Sequence, residues 1–596
     1  MNTAAQRLAA LRQTMQQQQF EAWLIPSADP HLSEYLPEHW QGRSWLSGFD
    51  GSVGTLLITA ERAELWADSR YWEQAERQLA GSGIVLQKLG LGRSHLDSVA
   101  ELPAGALLGV APDMLSLAAK RQLESAGAAK QIRLRHDLDL LDTVWPDRPD
   151  LPAAPVYRHG EAFAAESAAA KLIRVRRFMQ EQQAQHHLIS SLDDIAWLTN
   201  LRGSDVSYNP VFLAYLLISA EQAVLFADPA KFDGDARQAL AEAGITLADY
   251  DSVADAVAAL SGSLLIDPAK TAVSTLNRLP ESVVLRESIN PSTLFKSCKS
   301  AAEIEHTREA MKQDGIALCG FFAEFEQALA EGRTLTELDI DRMLLEHRRR
   351  RPHFISPSFG TIAGFNANGA LPHYSATPEA HSTLSGDGLL LIDSGGQYRN
   401  GTTDITRVVP VGTPSAEHKR DFTLVLKAHI ALAETEFPEN IAAPMLDAVC
   451  RKPMWQAQCD YGHGTGHGVG YFLNVHEGPQ VLSYHAPVTP HSAMKAGMIT
   501  SIEPGLYRPG RWGIRIENLV VNLPVTQPAE TQFGRFLRFD TLTLCPIDTR
   551  LMDTALMSRS EIDWVNRYHA QVREQLAPHT EGAAKAWLEQ RTRPLA

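Results

Sequence analysis

Apolar residues recur at helical spacing through MNTAAQRLAALRQTMQQQQ and then close into the run FEAWLI, which predicts an amphipathic helix feeding a strand. A related pattern returns later in the chain. LLITAERAELWAD at 56–68 realigns with LLISAEQAVLFAD at 216–228, with nine identical positions. Upstream, Trp45-Leu46 and Gly51-Ser52 correspond to Trp197-Leu198 and Gly203-Ser204, so the offset grows from 152 to 160 across a longer loop at Asp205 to Phe212. The pattern predicts two copies of one α/β unit, each running from a helix through a Trp-Leu segment into a strand, a turn and a second strand. A Pro-rich stretch from Trp145 to Val156 reads as the linker, giving domains at 1–150 and 157–289.

Near Asn290 the pattern changes. Ser300 and Glu303 form a capping box ahead of a long helical pattern that ends near Gly332, and Thr334 with Glu337 is expected to start the next helix. Strands and glycine-rich turns then alternate with helices to about residue 550, and the tail from Ser560 reads as helices packing back. These features predict a third, α+β domain at 290–596. Within it, LLLIDSGGQYRNGTTDITR holds a buried strand at Leu389 to Ile392 and a turn signal at Asn400-Gly401, so Asp393 and Asp404 should come from adjacent strands of a hairpin. ITSIEPGLYRPGRWGIRIENLVVN repeats the device: Pro504-Gly505 and Pro509-Gly510 break the chain between Glu503 and Glu517.

Length and composition narrow the classes. At 596 residues the chain exceeds one core and fits about three domains, and 44% apolar with 21% charged residues is ordinary for a globular protein. The net charge of −15 disfavours nucleic acid or an anionic membrane as partner. The basic run Arg348 to Arg351 follows a helical pattern and reads as a helix end rather than a targeting signal. Five cysteines, at 298, 319, 450, 459 and 545, show no CxxC spacing, and no apolar run approaches membrane-spanning length. A reduced, cytoplasmic protein is expected.

The chemistry concentrates in the third domain. Four carboxylates crowded into one buried place repel one another and need compensating charge, most simply two divalent cations. A fifth ligand is expected from YGHGTGHGVGYFLNVHEGP, whose glycines at 462, 464, 466, 468 and 470 argue against a helical HExxH site. An extended strand there would put His463 and His467 on one face. One imidazole among oxygen ligands favours Mn(2+), with Co(2+) or Zn(2+) as substitutes.

The segments HY at 373–374, DSGGQY…GTTDITR, GHGTGHG…NVHEGP, EPGLY and GIRIEN together resemble the Xaa-Pro aminopeptidases, metallopeptidases of the pita-bread fold related to prolidase and creatinase. The resemblance runs over essentially the whole chain. It implies two creatinase-like N-terminal α/β domains ahead of a pita-bread catalytic domain, and cleavage of the first residue from peptides with proline second. It also implies a ligand set of Asp393, Asp404, His467, Glu503 and Glu517, with Asp404 and Glu517 shared by both ions. By the same carry-over, Glu503 takes the proton of the attacking water, His476 bonds the oxyanion, His373 holds the peptide and His463 lines the proline pocket. The resemblance admits a homodimer without requiring one.

Arg515 should share a face with Glu517 and enter an ion pair, while Tyr507 divides evenly between packing and substrate contact. His381, His418, His429, His485 and His491 are read as surface or core residues. Arg43 and Asp50 are read as local turn residues rather than as groups reaching a partner's site. The competing readings are a prolidase, acting on Xaa-Pro dipeptides, and an inactive pita-bread module that binds proteins; the intact ligand set argues against the second.

Overall fold

The computed structural model describes residues 3–596, which fall into two compact units, 3–293 and Leu294–Ala596. The opening helix is Thr3–Gln17 and the strand after it Ala22–Pro26.

The first unit holds two six-stranded mixed sheets with the same strand order and the same strand senses. In one, Ala22–Pro26 lies between antiparallel Thr55–Thr59 and parallel Leu107–Val110; in the other, His186–Ile189 lies between antiparallel Tyr215–Ser219 and parallel Ser263–Ile266. The repeated sequence is the hairpin next in each sheet. Thr59 N donates to Arg62 O and Ser219 N to Gln222 O, both at 2.8 Å, so the two turns close alike. The longer loop of the second copy is held by Asp205, which accepts from Leu213 N at 2.7 Å and pairs with buried Lys231. Residues 145–155 form neither helix nor strand. Arg43 is buried and caps the carbonyls of Phe49 and Gly51, while exposed Asp50 accepts from Gln74 and Gln78, so both serve the local turn.

In the second unit, helix Ala301–Ala330 begins at the Ser300–Glu303 capping box. The next helix, Glu337–Arg349, departs from expectation: its cap is Thr336 with Asp339, not Thr334 with Glu337. Glu337 is drawn inside. Its carboxylate accepts from Phe365 N (2.7 Å), Asn368 Nδ2 (3.0 Å), Tyr374 OH (2.8 Å) and Ser382 N (2.6 Å), and so ties together the loop that carries His373. The tail forms helices Arg559–Leu576 and Gly582–Arg591.

The sheets of this unit are cut at the places that matter for chemistry. Strand Gly388–Ser394 pairs with Ile405–Val411 up to Ser394 opposite Ile405; beyond that, Gly396–Tyr398 pairs with Gly401–Thr402 in a different sheet. Likewise Ile499–Ile502 pairs with Asn518–Pro524 up to Ile502 opposite Asn518, and Gly505–Arg508 then pairs with Trp512–Arg515 as a separate ribbon. Each expected hairpin is therefore two ladders end to end. The first turn is centred on Arg399-Asn400, one residue earlier than expected. Gly401 lies on the strand instead, where a Cβ would come within 3.1 Å of the Ala310 Cβ on the long helix.

Buried Asp314 of that helix fixes the joint. It accepts from Arg348 Nε (2.7 Å), Tyr398 OH (2.8 Å) and Thr403 Oγ1 (3.1 Å). The basic run at 348–351 thus does more than end a helix, since Arg348 is buried in an ion pair. Removing one partner strands the other charge, so Asp314→Ala should cost about 3–5 kcal/mol of stability, read as a lowered denaturation midpoint for the second unit.

Candidate functional site

Asp393 stands opposite Thr406, one pair before the ladder ends, and Asp404 stands just before the returning strand. Glu503 and Glu517 flank the corresponding joint of the second hairpin, immediately beyond the Ile502–Asn518 pair. One backbone bond sews the hairpins together, Glu517 N donating to Thr406 O at 3.2 Å, and another ties the second hairpin to the glycine-rich loop, Glu503 N donating to Thr465 O at 2.8 Å. The five carboxylate and imidazole candidates from the sequence meet here. Ligand atoms of Asp404, His467 and Glu517 all lie within 4.8 Å of one another, and His467 Nε2 is 3.3 Å from Glu503 Oε1 and 3.6 Å from Asp404 Oδ2.

His467 sits on the short strand Gly466–Gly468, with its backbone N–H bonded to Ser501 Oγ at 2.9 Å. His463 is not on that strand; it lies in the bends before it. It still reaches the cluster, because Arg451, fully buried, bonds the carbonyls of Tyr461 and His463 at 2.7 and 2.6 Å and shapes the loop. Nothing in the sequence pointed to Arg451, which lies in a helix twelve residues upstream.

The electrostatics match a cation site. Burial, together with mutual repulsion of the carboxylates, pushes Asp404 and Glu517 well above the usual carboxylate range. Burial also raises Asp393, opposed by Arg515, whose Nη2 is 2.5 Å from Asp393 Oδ2. Burial works against charge on His467 and Glu503 too, but their mutual hydrogen bond prevails, holding His467 at about 9 and Glu503 at about 2. The other oxygen of Asp393, Oδ1, is buried without a hydrogen-bond partner. A buried lone pair left open beside carboxylates that resist ionisation is what a divalent ion relieves, and the oxygen-rich donors with one imidazole fit that chemistry.

A polar chain backs this cluster. Arg515 reaches Asp393 rather than Glu517, and touches the latter only through Thr406: Nε donates to Thr406 Oγ1 (3.2 Å), which donates to Glu517 Oε2 (2.8 Å). Nη1 of Arg515 donates to Tyr507 OH at 2.6 Å, and Tyr507 OH is 2.8 Å from His463 Nε2. His463 Nδ1 meets Gly464 O at 2.8 Å, which makes Nδ1 the donor and Nε2 the acceptor of the Tyr507 proton. Burial keeps that imidazole neutral, with a pKa lowered to about 4. Tyr507 is therefore a bonded link that also packs against the core. His476 lies beside His467, ring centroids 4.4 Å apart. His373 follows Pro372, whose carbonyl accepts from Arg515 Nη2 at 3.2 Å. Thr406 escaped the sequence reading although it lies two residues beyond Asp404.

Of the remaining histidines, His429 is fully buried, with Nδ1 3.0 Å from Ile502 O. His418 packs edge-on against Trp512, and His381 is exposed with Nδ1 on Thr377 O.

Comparison with known proteins decides the family. Residues 305–522 match metallopeptidase family M24, and residues 535–595 match the C-terminal region of that family. Residues 7–144 and 147–303 each match the creatinase/prolidase N-terminal domain. The chain is 38% identical to aminopeptidase P2 of Arabidopsis thaliana, covering 97% of this chain and 86% of that protein. It is 35% identical to Xaa-Pro aminopeptidase 2 of Homo sapiens, covering 99% and 88%. The chain belongs to metallopeptidase family M24. Among solved structures, the X-prolyl aminopeptidase of Caenorhabditis elegans, described as a cytosolic enzyme with a di-nuclear active site, superposes with a TM-score of 0.95 over 100% of both chains at 30% identity. The chain thus carries two creatinase-type N-terminal domains followed by an M24 domain of the pita-bread fold, which holds the site.

One consequence is measurable in stability. Burial lowers His429 to about 3. Between pH 6.5 and 3 the unfolded chain takes up a proton that the folded chain refuses, so stability is full above pH 6.5 and falls as pH drops. From pH 7 to pH 5 this group should remove about 2 kcal/mol. Denaturant titrations at both pH values should show the loss, and His429→Phe should flatten it by that amount.

Proposed function

We infer that this protein is an Xaa-Pro aminopeptidase, a metal-dependent exopeptidase that releases the first residue from peptides with proline in second place. The observation that carries this reading is the convergence of Asp393, Asp404, His467, Glu503 and Glu517 in one buried place, in a chain alignable end to end with proteins named for that activity. These residues would hold two divalent ions, with Mn(2+) favoured over Co(2+) or Zn(2+) by the oxygen-rich set. Such a pair lowers the pKa of water and polarises the carbonyl under attack.

The chain's own residues do the rest. Glu503, which stands beside His467 in the cluster, accepts the proton of the attacking water. His476 donates an N–H to the oxygen that gains charge, and His373 holds the peptide beside the scissile bond. His463 has both ring nitrogens committed, so it offers the proline ring only its carbon edge and face. Arg515 holds Asp393 and, through Tyr507, the His463 ring. A proline nitrogen carries no hydrogen, so a site that asks for shape there suits it better than one that asks for a donor. The domain limits 1–150, 157–289 and 290–596 belong to this reading, supported by the two sheets of equal order in the first unit. Five free thiols support a cytoplasmic location.

Mn-loaded protein incubated with Arg-Pro-Pro should release free arginine, detected by mass spectrometry, and Asp404→Ala should abolish both release and metal retention. Cleavage of Ala-Pro alone would make the protein a prolidase. No cleavage of either peptide by metal-loaded protein would leave a binding module. His476→Ala should keep its metal and lose turnover by about a hundredfold or more, since one oxyanion donor is worth about 3 kcal/mol; metal loss in that variant would make His476 a ligand instead.

A further inference from the structure

Arg407 has no role in the chemistry above, yet it is buried, 3% exposed, on the strand behind the site. Its guanidinium makes six hydrogen bonds, all to uncharged oxygens. Nη1 donates to Thr406 O (3.0 Å) and Glu517 O (2.6 Å), and Nε donates to Pro546 O (3.0 Å). Nη2 donates to Asn518 Oδ1 (2.8 Å), Cys545 O (2.8 Å) and Tyr568 OH (2.9 Å). The acceptors fall into two groups. One is the backbone at the ligand joint, residues 406, 517 and 518; the other is the C-terminal segment, residues 545, 546 and 568.

The C-terminal segment meets the same joint by a second route. Trp564 of helix Arg559–Leu576 packs edge-on against His429, ring centroids 5.7 Å apart. His429 bonds Ile502 O, next to Glu503, and receives Asn518 Nδ2 at 3.3 Å, next to Glu517. Upstream of the helix, Leu519 N donates to Thr543 Oγ1 at 2.8 Å. The three routes through Arg407, His429 and Leu519 therefore all reach residues 543–568.

We propose that the C-terminal segment is a working part of the metal centre, with Arg407 and Tyr568 as positioning residues that set the backbone of Glu517 for the ions. A buried guanidinium must satisfy all its N–H groups, and here it can do so only when the C-terminal carbonyls and the Glu517 carbonyl are in place together. Metal affinity is thereby linked to the docking of a segment that holds no ligand. The proposal rests on the reading of Glu517 as a ligand.

The test uses the full chain with Tyr568→Phe and Arg407→Lys. Metal dissociation constants come from competition between protein and a chromophoric chelator for Mn(2+), and melting temperatures are taken for metal-free and metal-loaded protein. Groups that orient ligands typically change metal affinity by about 10–100-fold, so Arg407→Lys should weaken binding by about tenfold or more and Tyr568→Phe by about threefold. The rise in melting temperature on loading should shrink in both. Equal losses of melting temperature with and without metal, at unchanged dissociation constants, would overturn the proposal and leave Arg407 a structural strut. If Arg407→Lys fails to fold, Tyr568→Phe decides alone. Glu517→Gln separates the two readings: tight retention of both ions there would remove Glu517 as a ligand, whereas metal loss there with unchanged affinity in the other two variants would defeat this proposal alone.

Discussion

Four carboxylates are held out of water within reach of one imidazole, and most of the second unit is arranged around the cost of keeping them there. Burial raises both Asp404 and Glu517, with Glu517 adding to the first and Glu503 to the second, while Asp393 leans on Arg515 and Glu503 leans on His467. No single strand could bring so many like charges together. The fold uses two hairpins whose ladders resist separation, and a long helix whose Asp314 pins the first of them. Repulsion at the centre is balanced by backbone bonds such as Glu517 N to Thr406 O, which do not depend on the state of the side chains.

The neutral imidazole of His463 and the charged guanidinium of Arg515 show how the surroundings divide the work. Tyr507 stands between them and passes its proton one way only, toward His463 Nε2, because Arg515 can only donate. One direction of hydrogen bonding therefore runs from Arg515 to the glycine-rich loop, which leaves His463 no freedom to change tautomer. The same logic holds behind the second hairpin, where Arg407 donates in every direction and the protein supplies carbonyls to meet it.

Much of this was legible in the chain. The repeat at 56–68 and 216–228 foretold two sheets of one design because a hairpin's apolar alternation survives in the residues themselves. The carboxylates were legible because each stands at the end of an apolar strand beside a turn signal. What the sequence hid were residues whose partners are distant. Glu337 satisfied the local pattern of a helix cap, but four donors from the 365–382 loop outweighed one backbone N–H. Gly401 looked like a turn residue and is a point of close approach to a helix ninety residues earlier. Arg407 carries no local signal, since its acceptors are defined by the fold, and the local pairing of Arg451 with Asp447 does not reveal the loop carbonyls it also meets.

Each ligand pair stands where a hairpin leaves one sheet and enters another. At such a joint the two ladders share a boundary but neither continues through it, so bending of the outer ribbon turns about the joint instead of spreading along the strands. Any bending about either joint would thus move the atoms that do the chemistry. Ions seated at both joints would act as rivets, converting a pair of hinges into one stiff frame.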